Sequence, residues 1–371
     1  MHIVYLSRSL LPSKTANSVH VMKMCQAISN NGHTVNLVAS MLEKHPISYY
    51  HDYYGVKNCF EINALKGRSD KFTGLLLYLF NFFLYIKKIK PPDLFYGRDL
   101  FTLAITALTF NVPFYFEAHK PPTSFVHKLL TGLLIKNKNL VKLIVITNPL
   151  KEEYLRLYPG LINKEILVSP DGADIPINYC PNNAAIATGE KIVIGYVGHL
   201  YSGRGMNIIH ALARELPQYE FHIIGGNEKD VAYWQNICLS LDNIHFKGFV
   251  PHGELYRYYR EIDIVLAPYQ KRVSISGGGS DTSQWMSPLK IFEYMSFTKP
   301  IIASDLPVLK EVLIDRFNAI LCKPECIDEW SKSIKLLVND KKMREHISKN
   351  AFDYFKNNYT WEKRVDRILT D

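Results

Sequence analysis

The chain has 371 residues, of which 47% are hydrophobic and 21% are charged, which suits a globular protein with two hydrophobic cores of roughly 170 to 190 residues each. The six cysteines are scattered, without a CxxC pair or a Cys/His cluster at metal-ligand spacing, so we expect a reducing cytoplasm and no structural zinc. The first residues, MHIVYLSRSLLPS, lack the basic and apolar regions of a secretory signal, so we expect none. The formal net charge of the chain is +9.

The excess of positive over negative charge lies almost entirely in the first half of the chain. Residues 1–175 contain 20 Lys and Arg against 12 Asp and Glu, whereas residues 176–371 contain 24 against 23. A basic half favours nucleic acid, an anionic membrane surface or an acidic substrate. Because the lysines are dispersed and no nucleic-acid-binding motif is present, we expect no nucleic-acid partner.

Short apolar runs alternate with longer segments of helical period. The segment 17–32 predicts a helix that ends at Asn31-Gly32, and residues 175–190, which have Pro, Asn and small residues but no period, predict an interdomain linker. Two doubly wound α/β domains in tandem follow, with ligands expected at the loops after strands. The predicted buried parallel strands are residues 2–6, 34–40, 93–97, 113–118, 142–147, 191–198, 220–226, 243–248, 263–268, 299–304 and 318–323.

Two predicted helices in the first half are unusually apolar and end in lysines. They lie in residues 73–90 and 125–142, and neither reaches the about 20 apolar residues of a transmembrane helix. One interpretation is a deeply buried helix packed on the sheet. The other is an amphipathic or partly exposed helix that seats the basic domain on an anionic membrane.

The segment GYVGHLYSGRGMNIIHAL, 195–212, connects the first predicted strand of the second domain to a helix. Gly198, Gly203 and Gly205 allow close backbone approach, the helix start offers free N–H groups, and His199 and Arg204 add cationic donors. That combination suits a phosphate or diphosphate, although the same glycines could simply make a turn. The segment has neither a Walker loop nor a GxGxxG fingerprint.

A second helix start lies in the segment GGGSDTSQWMSPLKIFEYM, residues 277–295. Ser287 as N-cap and Pro288 as first helical residue predict a helix whose free N–H groups, around Leu289, point at an anion. Glu293 near this helix start can accept hydrogen bonds from two neighbouring hydroxyls, such as a ribose diol. Alternatively, Lys290 and Glu293 form a solvated ion pair three residues apart.

These segments together resemble a glycosyltransferase of the GT-B fold, most like the family 4 retaining enzymes, over nearly the whole chain. SPLKIFEYMSFTKPIIASDLP resembles the helix that carries the second glutamate of the E-x7-E motif. The matching segments are LVSPDGAD (167–174), GHLYSGRG (198–205), HFKGFVPHGELYRYYREIDIVLAP (245–268), SPLKIFEYMSFTKPIIASDLP (287–307) and YTWEKRVDRIL (359–369).

The resemblance implies an α/β fold of two Rossmann-like domains that face a central cleft. Residues 1–176 are the expected acceptor-side domain, 177–355 the expected nucleotide-sugar-binding domain, and 356–371 a helix that returns to the first domain. The implied activity is transfer of a sugar, with retention and without a metal or other cofactor, from a UDP- or GDP-linked donor to a saccharide or lipid-linked acceptor. The expected setting is surface polysaccharide or glycolipid assembly, in the cytoplasm or on the inner face of the plasma membrane.

The resemblance also assigns roles in the second domain. It makes Glu293 the ligand of the ribose hydroxyls and places Arg204 and His199 beside the diphosphate, where basic residues such as Lys290 stabilise the leaving group. Phe249 and Val250 lie in its base-binding region.

In the first domain, the resemblance brings His119 close to the donor sugar. The alternative for His119 is a core histidine at a strand end. The glycine loop 276–280 is an expected lid over the donor, or else a surface excursion.

The sequence departs from the family pattern at two places. Trp285 stands eight positions before Glu293, where the family has its first glutamate, and Ala16-Asn17-Ser18 stands where a glycine pair is common. The tryptophan keeps open a non-catalytic nucleotide-binding partner of another transferase, and a nucleotide-sugar epimerase on the same fold is a further alternative.

Overall fold

The computed structural model describes residues 1–41, 45–67, 72–176, 191–274 and 281–370. The chain divides into a first unit, Met1–Pro170 with Trp361–Asp371, and a second unit, Asp171–Thr360. These boundaries differ by a few residues from the predicted breaks at 176/177 and 355/356. The reason is local: the Ala173 N–H donates to the Tyr359 carbonyl at 3.1 Å, which ties both segments to the second unit.

The first unit is built on a parallel sheet. Its described strands are β1 His2–Leu11, β2 Thr34–Met41, β3 Glu61–Lys66, β4 Leu94–Gly97, β5 Phe114–Ala118, β6 Leu140–Val145 and β7 Glu165–Val168. They lie in the order β3-β2-β1-β4-β5-β6-β7. All neighbouring pairs are parallel, and β1 and β4 are the strands between which the chain order reverses.

The second unit repeats this plan. Its described strands are β8 Val193–Val197, β9 Glu220–Ile224, β10 Ile244–Gly248, β11 Ile264–Ala267, β12 Ile301–Ser304 and β13 Ile320–Cys322. The order β10-β9-β8-β11-β12-β13, all parallel, reverses between β8 and β11. In an open parallel sheet such a reversal leaves a crevice at the carboxyl ends of the two central strands.

Every predicted strand is confirmed, and two strands were missed. The missed strands, β3 and β7, are the two edges of the first sheet, where several residues are partly exposed. Edge strands are not covered on all sides, so their sequences, EINALK and EILV, do not form a longer run of buried apolar residues.

Helices connect the strands. The predicted end of α1 is confirmed, since Asn31 is its C-cap and Gly32 has the left-handed φ of +86°. The helices are α1 Ala16–Asn30, α2 Ile47–Tyr54, α3 Phe72–Ile86, α4 Leu100–Thr109, α5 Phe125–Lys136, α6 Asn148–Leu157, α7 Met206–Glu215, α8 Glu228–Ile237, α9 Leu255–Glu261, α10 Leu289–Ser296, α11 Ile327–Asn339, α12 Lys341–Asn358 and α13 Trp361–Leu369.

Helix α3 is only partly buried. Its buried stripe, Tyr78, Phe82 and Ile86, has a spacing of four residues, whereas Phe80 on the other side is 60% exposed. The interpretation of a deeply buried helix is therefore wrong for α3. Both α3 and α5 pack against α4, and we call the exposed sides of α3 and α5 together the exposed apolar face. The large exposed apolar residues on that face are Phe72, Leu76, Leu77, Phe80, Phe83, Leu84, Phe125, Val126, Leu129 and Leu133.

Among the residues that the structure describes, no helix is both long enough and apolar enough to cross a membrane.

Candidate functional site

The loop after β8 packs tightly against the loop after β11, at the point where the strand order of the second sheet reverses. Gly203 and Gly205 have φ values of +82° and +96°. A Cβ atom at Gly203 would collide with the backbone oxygen of Arg272, and one at Gly205 with that of Pro268. These glycines therefore do more than make a turn, because they let the two loops meet at the crevice between the central strands.

Lys290 brings a buried positive charge to this crevice. The residue is 7% exposed and lies in the first turn of α10. Its Nζ atom lies 3.6 Å from the centre of the Tyr196 ring and has no hydrogen-bond partner. The ammonium group also passes directly beside Gly198, where a Cβ atom would stand 2.8 Å from Nζ. Gly198 is thus the residue that makes room for Lys290.

Arg204 adds a second positive charge. Its guanidinium group lies 5.4 Å from the centre of the Tyr269 ring, and it donates to the Tyr269 hydroxyl at 3.3 Å and to the Ser274 carbonyl at 3.5 Å. Lys290 Nζ lies 5.2 Å from the same ring. The predicted His199 follows Gly198 in the loop that carries Arg204, and its ring stacks on Tyr201 at 4.8 Å.

The crevice holds two neighbouring positive charges, and these affect the pKa of Lys290. Burial lowers the pKa of Lys290 well below its usual value, the nearby positive charge of Arg204 lowers it further, and Glu293 only partly opposes them. Two cations that share aromatic neighbours, one of them without a hydrogen-bond acceptor, form a site suited to an anion.

The start of α10 differs from the sequence prediction by one residue. The helix begins at Leu289, Pro288 is at the cap position with extended backbone, and no side chain caps the first turn. The Ser287 hydroxyl instead accepts a hydrogen bond at 2.9 Å from the Asp171 N–H. The predicted N-cap role of Ser287 is therefore wrong, because its side chain anchors the chain entry to the second unit.

Glu293 lies one turn after Lys290 on α10. Its Oε1 atom is 2.9 Å from His252 Nε2, and its Oε2 atom accepts from the Tyr259 hydroxyl at 3.0 Å. Burial raises the pKa of Glu293, but the hydrogen bonds and charges of its neighbours, led by His252, outweigh burial and leave the pKa below its usual value. The carboxylate is ionised at neutral pH and held from two sides, so it is not a solvated ion pair with Lys290.

The predicted base-binding residues lie close in sequence to His252, which contacts this carboxylate. Phe249 and Val250 follow β10 and precede a 3-10 turn, His252–Glu254, which carries His252. Both residues are partly exposed, and Val250 packs against the main core of the second unit. The structure therefore places them next to the turn that contacts Glu293, and their role in binding a base stays a prediction.

His119 belongs to a charged cluster in the first unit. It follows β5, its side chain is 20% exposed, and its Nε2 atom contacts Oε1 of Glu117. Glu117 is buried, accepts from the Tyr96 hydroxyl, and lies 3.2 Å from Arg364 Nη2 and 2.9 Å from His20 Nε2. His119 is therefore half-buried and not a core residue, with its ring held by a carboxylate.

The charge of Glu117 is stabilised by this cluster. Burial raises its pKa, but Arg364 and then His20 outweigh that effect and hold the pKa well below its usual range. The nitrogen atoms of His20 and His119 and a Glu117 oxygen lie within 4.8 Å of one another, close enough to share a metal ion. Arg364 compensates the same carboxylate, which weakens its attraction for a metal cation.

Several residues of these clusters were missed by the sequence analysis. The missed residues are Tyr196, Tyr269, His252, Tyr259, His20, Glu117 and Arg364. Only Tyr269 carried a usable signal, because it follows a predicted central strand directly. The others are brought together by tertiary packing. The predicted glycine lid, 276–280, lies outside the described residues.

Comparison with solved structures defines the class of fold. A sucrose-phosphate synthase from Thermosynechococcus elongatus aligns over 99% of this chain and 96% of its own, with a TM-score of 0.75 and 16% identity. HepE from Anabaena, solved in complex with UDP and glucose, aligns over 99% of this chain and 98% of its own, with a TM-score of 0.72 and 15% identity. The two parallel-sheet units and these neighbours show that the chain has the GT-B glycosyltransferase fold.

The family signal lies in the second unit. Residues 183–354 match the model of the family Glycosyl transferases group 1. An uncharacterised glycosyltransferase of Methanocaldococcus jannaschii is 29% identical over 182 residues, 47% of this chain and 43% of the relative. A Bacillus subtilis protein provisionally named the teichuronic acid biosynthesis glycosyltransferase TuaH is 27% identical over 129 residues, 34% of this chain and 30% of the relative. The chain thus matches about half or less of the length of these curated relatives.

Proposed function

We propose that the protein is a retaining, family 4 type glycosyltransferase that moves a hexosyl or related sugar from a nucleotide-sugar donor to a saccharide or lipid-linked saccharide. The observation that carries the proposal is Lys290, a buried ammonium group without a hydrogen-bond partner beside the second cation, Arg204. A buried cation of this kind is costly unless a ligand supplies the missing negative charge. A diphosphate leaving group supplies that charge.

The chemical roles follow from the charges. Departure of a nucleoside diphosphate concentrates negative charge on its phosphates, and Lys290 and Arg204 are positioned to stabilise it in a site that is already organised. Glu293 accepts hydrogen bonds from the ribose, and His119 approaches the donor sugar. Retention proceeds by front-face attack, in which the leaving phosphate helps to accept the proton of the acceptor hydroxyl.

The finer identity of the substrates rests on the neighbours. HepE is solved with UDP and glucose, and the TuaH name refers to teichuronic acid biosynthesis. We therefore place a UDP-linked donor first, ahead of GDP, and a surface polysaccharide or glycolipid as the product. Because two cationic side chains can stabilise the diphosphate, the reaction needs no metal ion.

The exposed apolar face formed by α3 and α5 supports a lipid-linked acceptor. Exposed lysines lie within α5 and just after α3, including Lys88, Lys128 and Lys136. Apolar groups that enter a headgroup region beside lysines are the pattern of a surface-bound protein. We place the enzyme on the inner face of the plasma membrane.

The first experiment measures the melting temperature of the purified protein with UDP, GDP, ADP and CMP in turn, for the wild type, Lys290→Met and Lys299→Met. Lys299 is a matched control, since it is also a buried lysine of the second unit but donates to the Ile262 carbonyl at 2.6 Å. A nucleotide at about 100 times its Kd adds roughly 2.7 kcal/mol, which corresponds to several degrees. UDP is expected to shift the wild type and Lys299→Met and to lose its effect in Lys290→Met.

Two results would contradict the proposed site or narrow the activity. If no nucleotide shifts the wild type at millimolar concentration, or if Lys290→Met keeps the full shift, the anion site is wrong. Product analysis with UDP-sugars, with and without EDTA, then separates the alternatives. Donor conversion without an acceptor indicates an epimerase, binding without turnover indicates a non-catalytic partner, and activity lost with EDTA and restored by manganese contradicts metal independence.

A further inference from the structure

Two protein donors hold the carboxylate of Glu293, one on each oxygen. His252 Nε2 lies 2.9 Å from Oε1, and the Tyr259 hydroxyl lies 3.0 Å from Oε2. Because an ionised carboxylate only accepts hydrogen bonds, His252 must carry its proton on Nε2. The two donors come from consecutive elements, the 3-10 turn His252–Glu254 and helix α9, whereas Glu293 belongs to α10.

The Tyr259 donor is fixed by packing. Tyr259 is 1% exposed, and its ring stacks on Phe297 at a centroid distance of 4.3 Å and meets Tyr294 edge-on at 6.0 Å. Tyr294 lies in the last turn of α10, the helix that carries Glu293, and Phe297 is the C-cap of that helix. The hydroxyl therefore cannot leave the carboxylate without disrupting the contact between α9 and α10. The His252 side chain, 24% exposed, holds the other oxygen from the solvent side.

The carboxylate still has acceptor capacity. Each oxygen of a carboxylate has about two lone-pair directions, and the donors described above use one on each. The Glu293 side chain is 12% exposed, so part of it faces away from its protein partners. The two free directions belong to two oxygens of one rigid plane. They match two hydroxyl donors on neighbouring carbon atoms better than a single donor.

The position of Glu293 relative to Lys290 points the same way. The two residues are three apart on α10, which brings their side chains to neighbouring positions on one face of the helix. Lys290 is the proposed partner of a phosphate. A vicinal diol one turn further along is the arrangement of the ribose hydroxyls in a ribonucleotide.

We infer that His252 and Tyr259 are positioning residues that fix the Glu293 carboxylate to read the 2′ and 3′ hydroxyls of ribose, so that the site selects ribonucleotides over 2′-deoxyribonucleotides. The inference rests on the proposed function, since it requires a nucleotide at this site. It goes beyond that function because it assigns the selection to two residues outside α10. Without these two residues the carboxylate is free to rotate and to bind solvent. The loss of one ribose hydroxyl then reduces the affinity for the nucleotide by a smaller factor.

The test compares two ligands in each variant by titration calorimetry, UDP and 2′-deoxy-UDP, or the corresponding guanosine pair if GDP is the nucleotide that stabilises the protein. The wild type is expected to bind the ribonucleotide at least about ten-fold more tightly than the 2′-deoxyribonucleotide. This ratio corresponds to the usual contribution of one hydrogen bond to a charged group. Tyr259→Phe, which keeps the ring but removes the hydroxyl, and His252→Phe are expected to reduce this ratio to about three-fold or less. His252→Gln, which keeps an N–H donor, is expected to restore it.

A matched control is His245→Phe. His245 also pairs with a carboxylate of the second unit, Glu220, at 2.6 Å, but it belongs to a different cluster. Its substitution is expected to leave the ratio unchanged. The ratio is measured within each variant, so a general loss of stability or affinity does not imitate the effect.

The outcomes distinguish a failure of this inference from a failure of the proposed function on which it rests. If no nucleotide binds the wild type, the proposed function fails. If the wild type binds the ribonucleotide and the ratio is near one, or if the ratio stays at its wild-type value in Tyr259→Phe and His252→Phe, then these residues only stabilise the fold and the inference is overturned.

Discussion

Lys290 places an ammonium group among aromatic rings without a hydrogen-bond acceptor beside it. Removing such an ion from water costs several kcal/mol in a protein interior. The cation–π contact with Tyr196 returns about 2 kcal/mol, which is less than that cost. The balance is unfavourable, so the residue destabilises the protein in the absence of a ligand.

Lys290→Met is therefore expected to raise the free energy of unfolding by about 1 kcal/mol at neutral pH, since methionine fills similar space without a charge. The pKa of Lys290 is lowered in the folded state, so the unfolded chain binds the extra proton and wild-type stability rises with pH between the folded and unfolded pKa values. The gain from the substitution is thus largest at low pH and shrinks as the pH approaches about 10.4.

Urea denaturation of both proteins between pH 6 and about 10, within the range set by the lysine pKa, measures this gain. A lower free energy of unfolding for Lys290→Met at neutral pH would mean that the ammonium group has a stabilising partner after all.

At the scale of elements, α13 completes the core of the first unit. Its Arg364 donates to the carbonyls of Pro170 and Ser169 at 2.9 and 3.2 Å and pairs with buried Glu117. Removing one partner of a buried ion pair leaves an uncompensated charge. The helix is thus part of the cluster that holds His119.

Arg364→Met is expected to destabilise the first unit by about 3 kcal/mol or more, because Glu117 loses its main cationic partner. Hydrogen exchange of β1, β4 and β5 measures this loss. Exposed Lys363→Met makes the same change of charge one residue away and is the control, with an expected effect within about 0.5 kcal/mol. Adding Glu117→Gln to Arg364→Met should regain part of the lost stability. Equal destabilisation by Arg364→Met and Lys363→Met would contradict the role assigned to Arg364.

The sequence predicted the central elements well because a buried parallel strand is apolar on both faces, a pattern that needs no tertiary information. It missed β3 and β7, whose partial exposure breaks that pattern. For the site, glycines and a helix start were visible, and Lys290 and Glu293 were singled out. Their environment was not, because Tyr196, His252 and Tyr259 reach them only through the order of the strands and the packing of α9 on α10.

At the scale of the whole molecule, the excess positive charge and the exposed apolar face belong to the same unit. The first half of the chain carries 20 Lys and Arg against 12 Asp and Glu, and the face formed by α3 and α5 lies within it. In the proposed association with a membrane, charge would draw the unit to an anionic surface, and the apolar side chains would then enter the headgroup region.

The protein is expected to float with vesicles that contain anionic lipid and to be released by high salt, since charge screening weakens the first of these interactions. Replacing Leu76 and Phe80 by glutamate should abolish flotation. Leu239→Glu is the control, because Leu239 is even more exposed, at 78%, but lies in the second unit. Flotation that persists in the double variant would assign the binding to another surface.

The split composition of the first unit has a consequence for how the protein is made. Residues 171–360 form the second unit as one continuous stretch, whereas the first unit needs residues 361–370, which a ribosome adds only after that stretch is complete. Domains generally fold as units during synthesis, N-terminal first. Here the second unit can finish folding while the first, with the Glu117 charge still unpaired by Arg364, waits for residues 361–370 to emerge.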